Sequence, residues 1–312
     1  MTAPADPSAD LEPRRTSPRV LVLGGSGMLG HKLCQVLGAR LDVHVTVRDG
    51  DLEPARLALL DPARTTTGVS AESFDSVESA VAARDPDVVV NCIGIVKQAA
   101  EARDPLVSIT VNSLFPHRLA QLCRARGARL IHVSTDCIFS GRDGMYGEND
   151  IPDPVDLYGR SKLLGEVDDG CLTIRTSIIG RELSGAGGLL EWFLAQHGSV
   201  RGFRRAIFSG LTTEALAELL ATLICEHREL NGIRHVASAP ISKHDLLGML
   251  REAYGLDVRI VADDEMICDR SLDGTKLERE TGLRAPSWAQ MIAALAADET
   301  PYEQLRSATD SC

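Results

Sequence analysis

Short β-branched apolar runs alternate with stretches of helical periodicity over the first half of this chain. The apolar runs, which we predict as strands, are "RVLVLG" (19–24), "DVHVTVR" (42–48), "DVVVNCIG" (87–94), "RLIHVST" (129–135) and "CLTIRTS" (171–177). Continuous apolar runs of this length indicate strands buried on both faces, as in a parallel sheet. Their alternation with helices predicts an α/β fold with a doubly wound parallel sheet. In such sheets ligands bind at the carboxyl ends of the strands.

The intervening stretches predict helices at 27–38, 76–86 and 158–167. Asp104 and Pro105 are typical of a helix start, and that helix should run to Arg126 with a kink or interruption at Pro116. A third strand in the first half is weak, around 64–69.

The chain divides into three predicted parts. Residues 1–18, rich in Pro, Ala, Asp and Ser, predict a disordered tail. Residues 19–177 form the sheet domain. Residues 178–312 predict a smaller, more irregular α/β lobe, from which about 206–238 return to the sheet domain through a long amphipathic helix and a late strand.

Composition excludes several classes of partner. The 33 basic and 44 acidic residues give a net charge of −11, so a basic nucleic-acid footprint is absent. The sequence contains neither an apolar signal region nor a run of about 18 apolar residues, so we expect no membrane span. Eight cysteines without CxxC pairs indicate a reduced, cytoplasmic protein. Cysteine and histidine spacings predict no metal site.

The sequence "GGSGMLG" places Gly24, Gly27 and Gly30 directly after the first strand and at the start of a helix. Glycines permit the tight turn and let backbone N–H groups approach a diphosphate, and the helix N-terminus adds partial positive charge. A tight turn without a ligand is the alternative. Because the motif lies in a strand–turn–helix context, it favours a dinucleotide-binding (Rossmann) domain.

The end of the second strand discriminates between dinucleotides. A carboxylate there binds the ribose of NAD, whereas an arginine pairs with the 2′-phosphate of NADP. Arg48 follows Val47 directly and Asp49 comes one position later. This order favours NADP(H), with NAD(H) as the alternative, unless Arg48 is only a solvated surface residue.

Tyr158 and Lys162 stand four residues apart at the start of a helix and therefore share a face. A free phenol, with a pKa of about 10, is a poor acid at neutral pH. An adjacent ammonium is expected to lower that pKa and make the phenol a useful general acid. An exposed Tyr–Lys pair without function is the alternative, but Thr135 at a strand terminus upstream favours the catalytic interpretation.

With "NCIG" (91–94), "STDCIF" (134–139) and "YGRSK" (158–162), the chain resembles the extended short-chain dehydrogenase/reductase family, from residue 19 to about 240. It is most similar to the dTDP-4-dehydrorhamnose reductase group of nucleotide-sugar 4-ketoreductases. The resemblance implies that Thr135 binds the substrate carbonyl, Tyr158 donates the proton and Lys162 is its electrostatic partner. The residues expected at the cofactor are Gly24, Ser26, Gly27, Met28, Leu29, Gly30, Arg48, Asp75, Cys92, Gly94, Tyr158 and Lys162.

Cys137 marks a departure from the dehydratases of the same family, which have a glutamate after Thr-Asp. A thiol, with a reference pKa of about 8.5, does not readily replace a carboxylate base. The apparatus for removing water is therefore incomplete, whereas the groups for hydride and proton delivery are present.

Substrate contacts are less well defined by sequence. The candidates are Thr135, Asp136, Lys97, Trp192, Arg204 and Arg205. Asp136 either orients substrate or makes a local strand-cap hydrogen bond. Lys97 either reaches a phosphate or is solvated. Trp192 either stacks on a base or belongs to the core.

The resemblance implies an NADP(H)-dependent reductase of a nucleoside-diphosphate 4-keto-6-deoxyhexose, with a homodimer left open. Two rival interpretations are an epimerase with tightly held NAD and a non-catalytic, NADP-binding regulatory subunit. The sequence defines neither the nucleotide nor the sugar.

Replacing Arg48 with alanine should weaken NADPH binding by roughly ten- to a hundredfold, because a charge-assisted pair with the 2′-phosphate contributes about 1.5–3 kcal/mol. NADH lacks this phosphate and serves as the internal control, with nearly unchanged affinity. Fluorescence titration of both cofactors measures the difference. Equal losses for the two cofactors, or a wild type that prefers NADH, would contradict the assignment and favour Asp49.

Overall fold

The computed structural model describes residues 17–48, 54–185 and 187–307, and Asp49 and most of the predicted tail lie outside these ranges. Within them, no helix combines the length and apolar character needed to cross a membrane. The seven cysteines in these ranges are free thiols.

Fourteen strands occur in the described residues. They are β1 (Arg19–Leu23), β2 (Asp42–Thr46), β3 (Thr65–Thr66), β4 (Val88–Asn91), β5 (Arg129–Val133), β6 (Cys171–Arg175), β7 (Ile178–Ile179), β8 (Gly198–Phe203), β9 (Ala206–Phe208), β10 (Leu211–Thr212), β11 (Gly232–His235), β12 (Ile241–Ser242), β13 (Val258–Asp263) and β14 (Cys268–Asp269).

Twelve α-helices occur in the same ranges. They are α1 (Met28–Gly38), α2 (Pro54–Leu59), α3 (Phe74–Arg84), α4 (Pro105–Ser108), α5 (Phe115–Arg126), α6 (Leu157–Leu164), α7 (Leu189–Leu194), α8 (Thr213–Glu226), α9 (Lys243–Tyr254), α10 (Thr275–Thr281), α11 (Trp288–Ala296) and α12 (Tyr302–Ser307).

Seven parallel strands form the central sheet in the order β11-β6-β5-β4-β1-β2-β3. The order reverses between β1 and β4, which is the switch point where α/β sheets bind ligands. The predicted doubly wound Rossmann sheet is therefore confirmed. The glycine turn after β1 lies at this point.

Alternate residues along each strand face opposite layers of helices. Val20 and Val22 of β1 pack in the core with α1 and α8. Leu21 and Leu23 of the same strand pack in the core with α3 and α5. Burial on both faces explains why these strands are continuous apolar runs.

The C-terminal part contains three small sheets, β7 with β10, β8 with β13, and β9 between β12 and β14. The segment that returns to the central sheet consists of α8, which packs on α1, and β11, which pairs with β6. Because β9 belongs to a small sheet, the segment that returns to the central sheet begins later than residue 206. The predicted boundary after residue 177 stays a prediction.

The helix predicted from Asp104 to Arg126 is interrupted before Pro116. Asp104 caps α4 as expected, accepting from the Leu106 N–H at 2.8 Å. A wider π-helical segment, Ile109–Leu114, then joins α4 to α5, and Pro116 lies in the first turn of α5. Proline has no N–H to donate to the preceding turn, so the α-helical hydrogen-bond pattern is interrupted before Pro116 and resumes in α5.

Candidate active site

The glycine turn joins β1 to α1 with little space. Gly24 has φ +85°, a region that favours glycine, and a Cβ on Gly30 would lie 2.1 Å from the Gly24 carbonyl oxygen. The Gly25 N–H donates to the Thr46 carbonyl at 2.8 Å, which ties the turn to β2. Close approach of this kind requires the glycines that the sequence has here.

The turn has the donor set that a dinucleotide diphosphate needs. A Cβ on Gly27 would have only the Gly24 carbonyl oxygen within 4 Å, at 3.4 Å, so the space before the start of α1 is open. The first N–H groups of α1 have no partner inside the helix. The residues predicted here, namely Gly24, Ser26, Gly27, Met28, Leu29 and Gly30, all lie in this turn and the first turn of α1. They fit a bound diphosphate.

Arg48 and Asp75 follow β2 and β3 on the same side of the sheet. Arg48 is exposed directly after Val47, whose N–H donates to the Thr66 carbonyl at 3.0 Å. Asp75 is exposed in the first turn of α3. Their cofactor roles stay predictions.

The segment after β4 brings the cofactor side of the site against the catalytic side. The Cys92 N–H donates to the Leu23 carbonyl at 3.0 Å, so Cys92 lies beside the end of β1. A Cβ on Gly94 would lie 3.4 Å from Asn112 Oδ1 and 3.9 Å from Lys162 Nζ. Gly94 therefore faces the predicted catalytic lysine.

Thr135 and Asp136 lie buried at the carboxyl end of β5. The Thr135 hydroxyl accepts from the Cys137 N–H at 3.1 Å and donates to Asp136 Oδ1 at 3.2 Å. Burial raises the pKa of Asp136, and the charges of Arg270 and Lys243 oppose this shift. Asp136 thus takes part in a local hydrogen bond, and its substrate role stays a prediction.

Cys137 is a protonated thiol at neutral pH. Burial, and then the nearby charge of Asp136, raises its pKa to about 12. Arg270 Nη1 lies 3.8 Å from the sulfur. The shift agrees with the expectation that this position does not readily act as an anionic base.

Helix α6 packs closely against the turn that contains Cys137. Asp156 caps the helix by accepting from the Gly159 N–H at 2.8 Å. A Cβ on Gly159 would lie 2.2 Å from the Cys137 carbonyl oxygen, so only glycine fits between Tyr158 and the rest of the motif. This packing brings Tyr158 to Thr135.

Lys162 is buried, and its ammonium donates to the Val133 carbonyl at 2.7 Å. Burial lowers the pKa of Lys162 to about 8, opposed by Glu166 and Cys92. Holding the lysine on a backbone carbonyl fixes its position beneath the site.

The expected lowering of the Tyr158 pKa is not present. Burial raises this pKa, an ionised Cys137 would add to the rise at high pH, and a hydrogen bond with the Thr135 hydroxyl opposes it. Lys162 is not among the main causes of the shift. Tyr158 is therefore a protonated phenol, which suits a proton donor.

Sequence reasoning missed a buried ion pair below the catalytic residues. Arg175 of β6 makes a two-pronged contact with Glu166, with Nη2 to Oε2 at 2.8 Å and Nε to Oε1 at 2.9 Å. Their side chains are only 4% and 5% exposed. Ser134 donates to Glu166 Oε1 at 2.7 Å, and His235 Nε2 lies 3.3 Å from Arg175 Nη1. The motif "GE" after α6 was the available signal.

Asn112 was also missed. It lies buried in the π-helical segment, where Oδ1 accepts from the Ile95 N–H at 2.9 Å and Nδ2 donates to Ser161 Oγ at 3.1 Å. It therefore joins the segment after β4 to α6. A polar residue in a helical pattern just before Pro116 was its only signal.

Two cations of the C-terminal part face the same region. Arg270 donates to the Phe139 carbonyl at 2.9 Å, which anchors the turn after β5. Lys243 Nζ lies 3.6 Å from the centroid of the Phe208 ring. Lys243 is the first residue of α9 and Arg270 follows β14, and neither position has a local pattern that points to a site.

The remaining four substrate candidates have different positions and partners in the structure. Lys97 pairs with Asp156 at 2.7 Å, near the start of α6. Trp192 is 38% exposed, so the core interpretation of it is wrong. Arg204 and Arg205 lie exposed in the turn between β8 and β9, and Arg204 pairs with Asp264. A carboxylate partner competes with a phosphate for Arg204. The substrate roles of all four stay predictions.

Across residues 17–48, 54–185 and 187–307, no three His, Cys, Asp or Glu side chains converge so as to hold a metal ion.

A dinucleotide turn on one side of the switch point and a Thr–Tyr–Lys set on the other define the extended short-chain dehydrogenase/reductase class. The family model described as "RmlD substrate binding domain" matches residues 18–300. The chain belongs to this family.

Known proteins agree with this membership. The chain is 31% identical over 240 residues to the "Probable low-salt glycan biosynthesis reductase Agl14" of Haloferax volcanii, covering 70% of this chain and 79% of the relative. It is 28% identical over 249 residues to a dTDP-4-dehydrorhamnose reductase of Mycolicibacterium smegmatis, covering 77% and 70%. A crystal structure of dTDP-4-dehydrorhamnose reductase from Bacillus anthracis in complex with NADP has the same fold, with a TM-score of 0.75, 19% identity, and coverage of 90% and 99%.

Arg175→Met should lower the free energy of unfolding by about 3–5 kcal/mol, because it leaves the buried Glu166 carboxylate without its cation. Urea unfolding measures the loss. Arg124→Met is the matched control. Arg124 pairs with Asp169 at 3.0 Å, but their side chains are 58% and 89% exposed. That change should cost at most about 1 kcal/mol. Similar losses in the two variants would contradict the structural role assigned to the buried pair.

Proposed function

We propose that this protein is an NADP(H)-dependent reductase of a nucleoside-diphosphate 4-keto-6-deoxyhexose. The observation that carries the proposal is the hydrogen bond between Thr135 and Tyr158 at the carboxyl edge of the sheet, with Lys162 one turn further along α6. Membership of the family and the names of two relatives, both reductases, support it. The proposal leaves the nucleotide and the sugar configuration open.

The reaction places different demands on the two hydroxyl groups. A reduced nicotinamide dinucleotide, when bound, supplies the hydride. The Thr135 hydroxyl turns from Asp136 to donate a hydrogen bond to the substrate carbonyl oxygen. Tyr158, a protonated phenol, then gives its proton to that oxygen. Lys162 stabilises the negative charge that develops on the phenolic oxygen.

Cofactor preference follows from the same proposal. NADP(H) is favoured by Arg48 at the end of β2, and NAD(H) is the alternative if Asp49 binds the ribose. Lys162 is buried and held to β5 by its hydrogen bond to the Val133 carbonyl, which supports a proposed contact of its ammonium with the nicotinamide ribose. This arrangement serves either dinucleotide.

The proposal also includes the assembly and the location of the protein. Four exposed apolar side chains lie on α4, the π-helical segment and α6, namely Leu106, Ile109, Leu114 and Leu164. We infer that this region makes a homodimer, which light scattering would distinguish from a monomer of 33.6 kDa. A cytoplasmic location follows from the proposed substrate class and the free thiols.

The experiment that tests the reaction is NADPH oxidation in the presence of dTDP- and UDP-linked 4-keto-6-deoxyhexoses. Stoichiometric consumption of NADPH with formation of the 4-hydroxy sugar is the expected result. Interconversion of sugars without net consumption would favour the epimerase. NADPH binding with no turnover on any substrate would favour the regulatory subunit.

Tyr158→Phe should lower turnover by about 10²–10⁴-fold, because it removes the general acid while keeping the ring. NADPH affinity should change little. Tyr254→Phe is the control, since the Tyr254 hydroxyl donates to the Leu295 carbonyl at 3.2 Å, away from the site. Near-normal turnover of the Tyr158 variant would show that another group donates the proton.

The rate should fall as pH rises above about 8. Burial lowers the pKa of Lys162 to about 8, so its ammonium loses the proton at a lower pH than a free lysine does. Initial rates from pH 7 to 9.5 measure this (roughly one unit below and 1.5 units above that pKa). In Lys162→Arg the cation persists, so residual activity should lack the decline. A flat wild-type profile would contradict the role given to the ammonium.

A further inference from the structure

His31 connects the glycine turn with a residue far along the chain. Its ring is fully buried in α1, where Nδ1 lies 2.9 Å from the Gly27 carbonyl oxygen. Its Nε2 lies 2.9 Å from the hydroxyl of Tyr302, and the two rings meet edge to face with centroids 5.7 Å apart. The dinucleotide reaction uses neither side chain directly.

The chemistry of the groups fixes the direction of both hydrogen bonds. A carbonyl oxygen only accepts, so Nδ1 of His31 carries the proton and donates to Gly27. Burial lowers the pKa of His31 to about 4, so the ring is neutral and Nε2 has no proton. Nε2 therefore accepts from the Tyr302 hydroxyl. Asp298, which accepts from Lys32 at 2.6 Å and from Thr300 at 2.8 Å, also contacts that hydroxyl. Because Nε2 of His31 has no proton to give, the 2.9 Å contact requires the hydroxyl to donate to His31.

Holding the Gly27 carbonyl also orients the next N–H group. The carbonyl accepts from the His31 backbone N–H at 3.2 Å as well as from the ring. Because a peptide unit is planar and trans, the N–H of Met28 points the opposite way from this carbonyl. Met28 is the first residue of α1, so its N–H has no intrahelical partner and points out of the helix, into the glycine turn.

Residues 298–307, which we name the C-terminal segment, hold Tyr302 against α1. Tyr302 is 2% exposed, and the guanidinium of Arg181 lies 4.6 Å from the centroid of its ring. Arg181 also pairs with Glu303 at 2.6 Å, and Arg306 donates to the Gly185 carbonyl at 2.7 Å. The segment thus joins α1 to the loop that follows β7.

We propose that Tyr302 is a positioning residue for the dinucleotide: acting through His31, it holds the Gly27–Met28 peptide so that its N–H meets the diphosphate. The inference rests on the proposed function only for the identity of the cofactor, because it concerns binding and not the reduction step. It assigns to the C-terminal segment a part in cofactor affinity.

Tyr302→Phe tests this, because it keeps the ring and removes only the hydroxyl. Isothermal calorimetry should show NADPH and NADH binding weakened alike, by about two- to tenfold, the range expected for one hydrogen bond. The diphosphate is common to both cofactors, so this pattern differs from that of Arg48→Ala. Tyr254→Phe, which removes a hydroxyl elsewhere in the same part of the protein, should leave both affinities unchanged.

A double-mutant cycle shows whether Tyr302 acts through His31 or whether the two residues have independent structural effects. His31→Leu should weaken both cofactors at least as much as Tyr302→Phe, and the double variant should bind no more weakly than His31→Leu alone. Additive losses would overturn the proposal. So would a Tyr302→Phe variant with a lower melting temperature and unchanged cofactor affinity, or a wild type that binds neither cofactor. Calorimetry requires no turnover, so a failure of the proposed reduction does not enter the result.

Discussion

The ion pair between Glu166 and Arg175 connects the helix and strands that contain the predicted catalytic residues. It joins the end of α6 to β6, and through Ser134 and His235 it reaches β5 and β11. A buried pair of this kind tolerates few alternative geometries, since each charge loses its hydration and depends on its partner. Glu166 lies just beyond the end of α6, so the pair fixes the end of the helix that contains Lys162, the predicted catalytic lysine.

The sequence predicts secondary structure correctly where packing in the folded protein determines the local pattern of residues. β1, α1, β5 and α6 were predicted because burial on two faces gives apolar runs and a short turn needs glycine. Thr135, Tyr158 and Lys162 were selected for the same reason, since they end a strand or lie in the first turns of a helix, and their catalytic roles stay predictions. β8 and β13 were missed because they are half exposed and pair only with each other. Arg270 and Lys243 were missed because contacts across the chain, and not local spacing, bring them to the site.

Local charge at the site differs from the charge of the whole protein. The chain has a net charge of −11, yet Lys97, Lys243 and Arg270 lie around Asp136 and Cys137. An anionic ligand would be repelled by the whole protein at long range and attracted only close to these cations. Screening by salt reduces the long-range repulsion more than the attraction at short range.

β11 adds the seventh strand to the central sheet, and it comes from residues 232–235, after strands β7 to β10 of the small sheets. During synthesis, therefore, the edge of β6 and the face of α1 that α8 covers are exposed until this part of the chain has left the ribosome. An exposed parallel edge is prone to wrong pairing. Folding of the nucleotide-binding half is thus coupled to synthesis of the chain through residue 235, and translation products that stop earlier would lack a finished sheet.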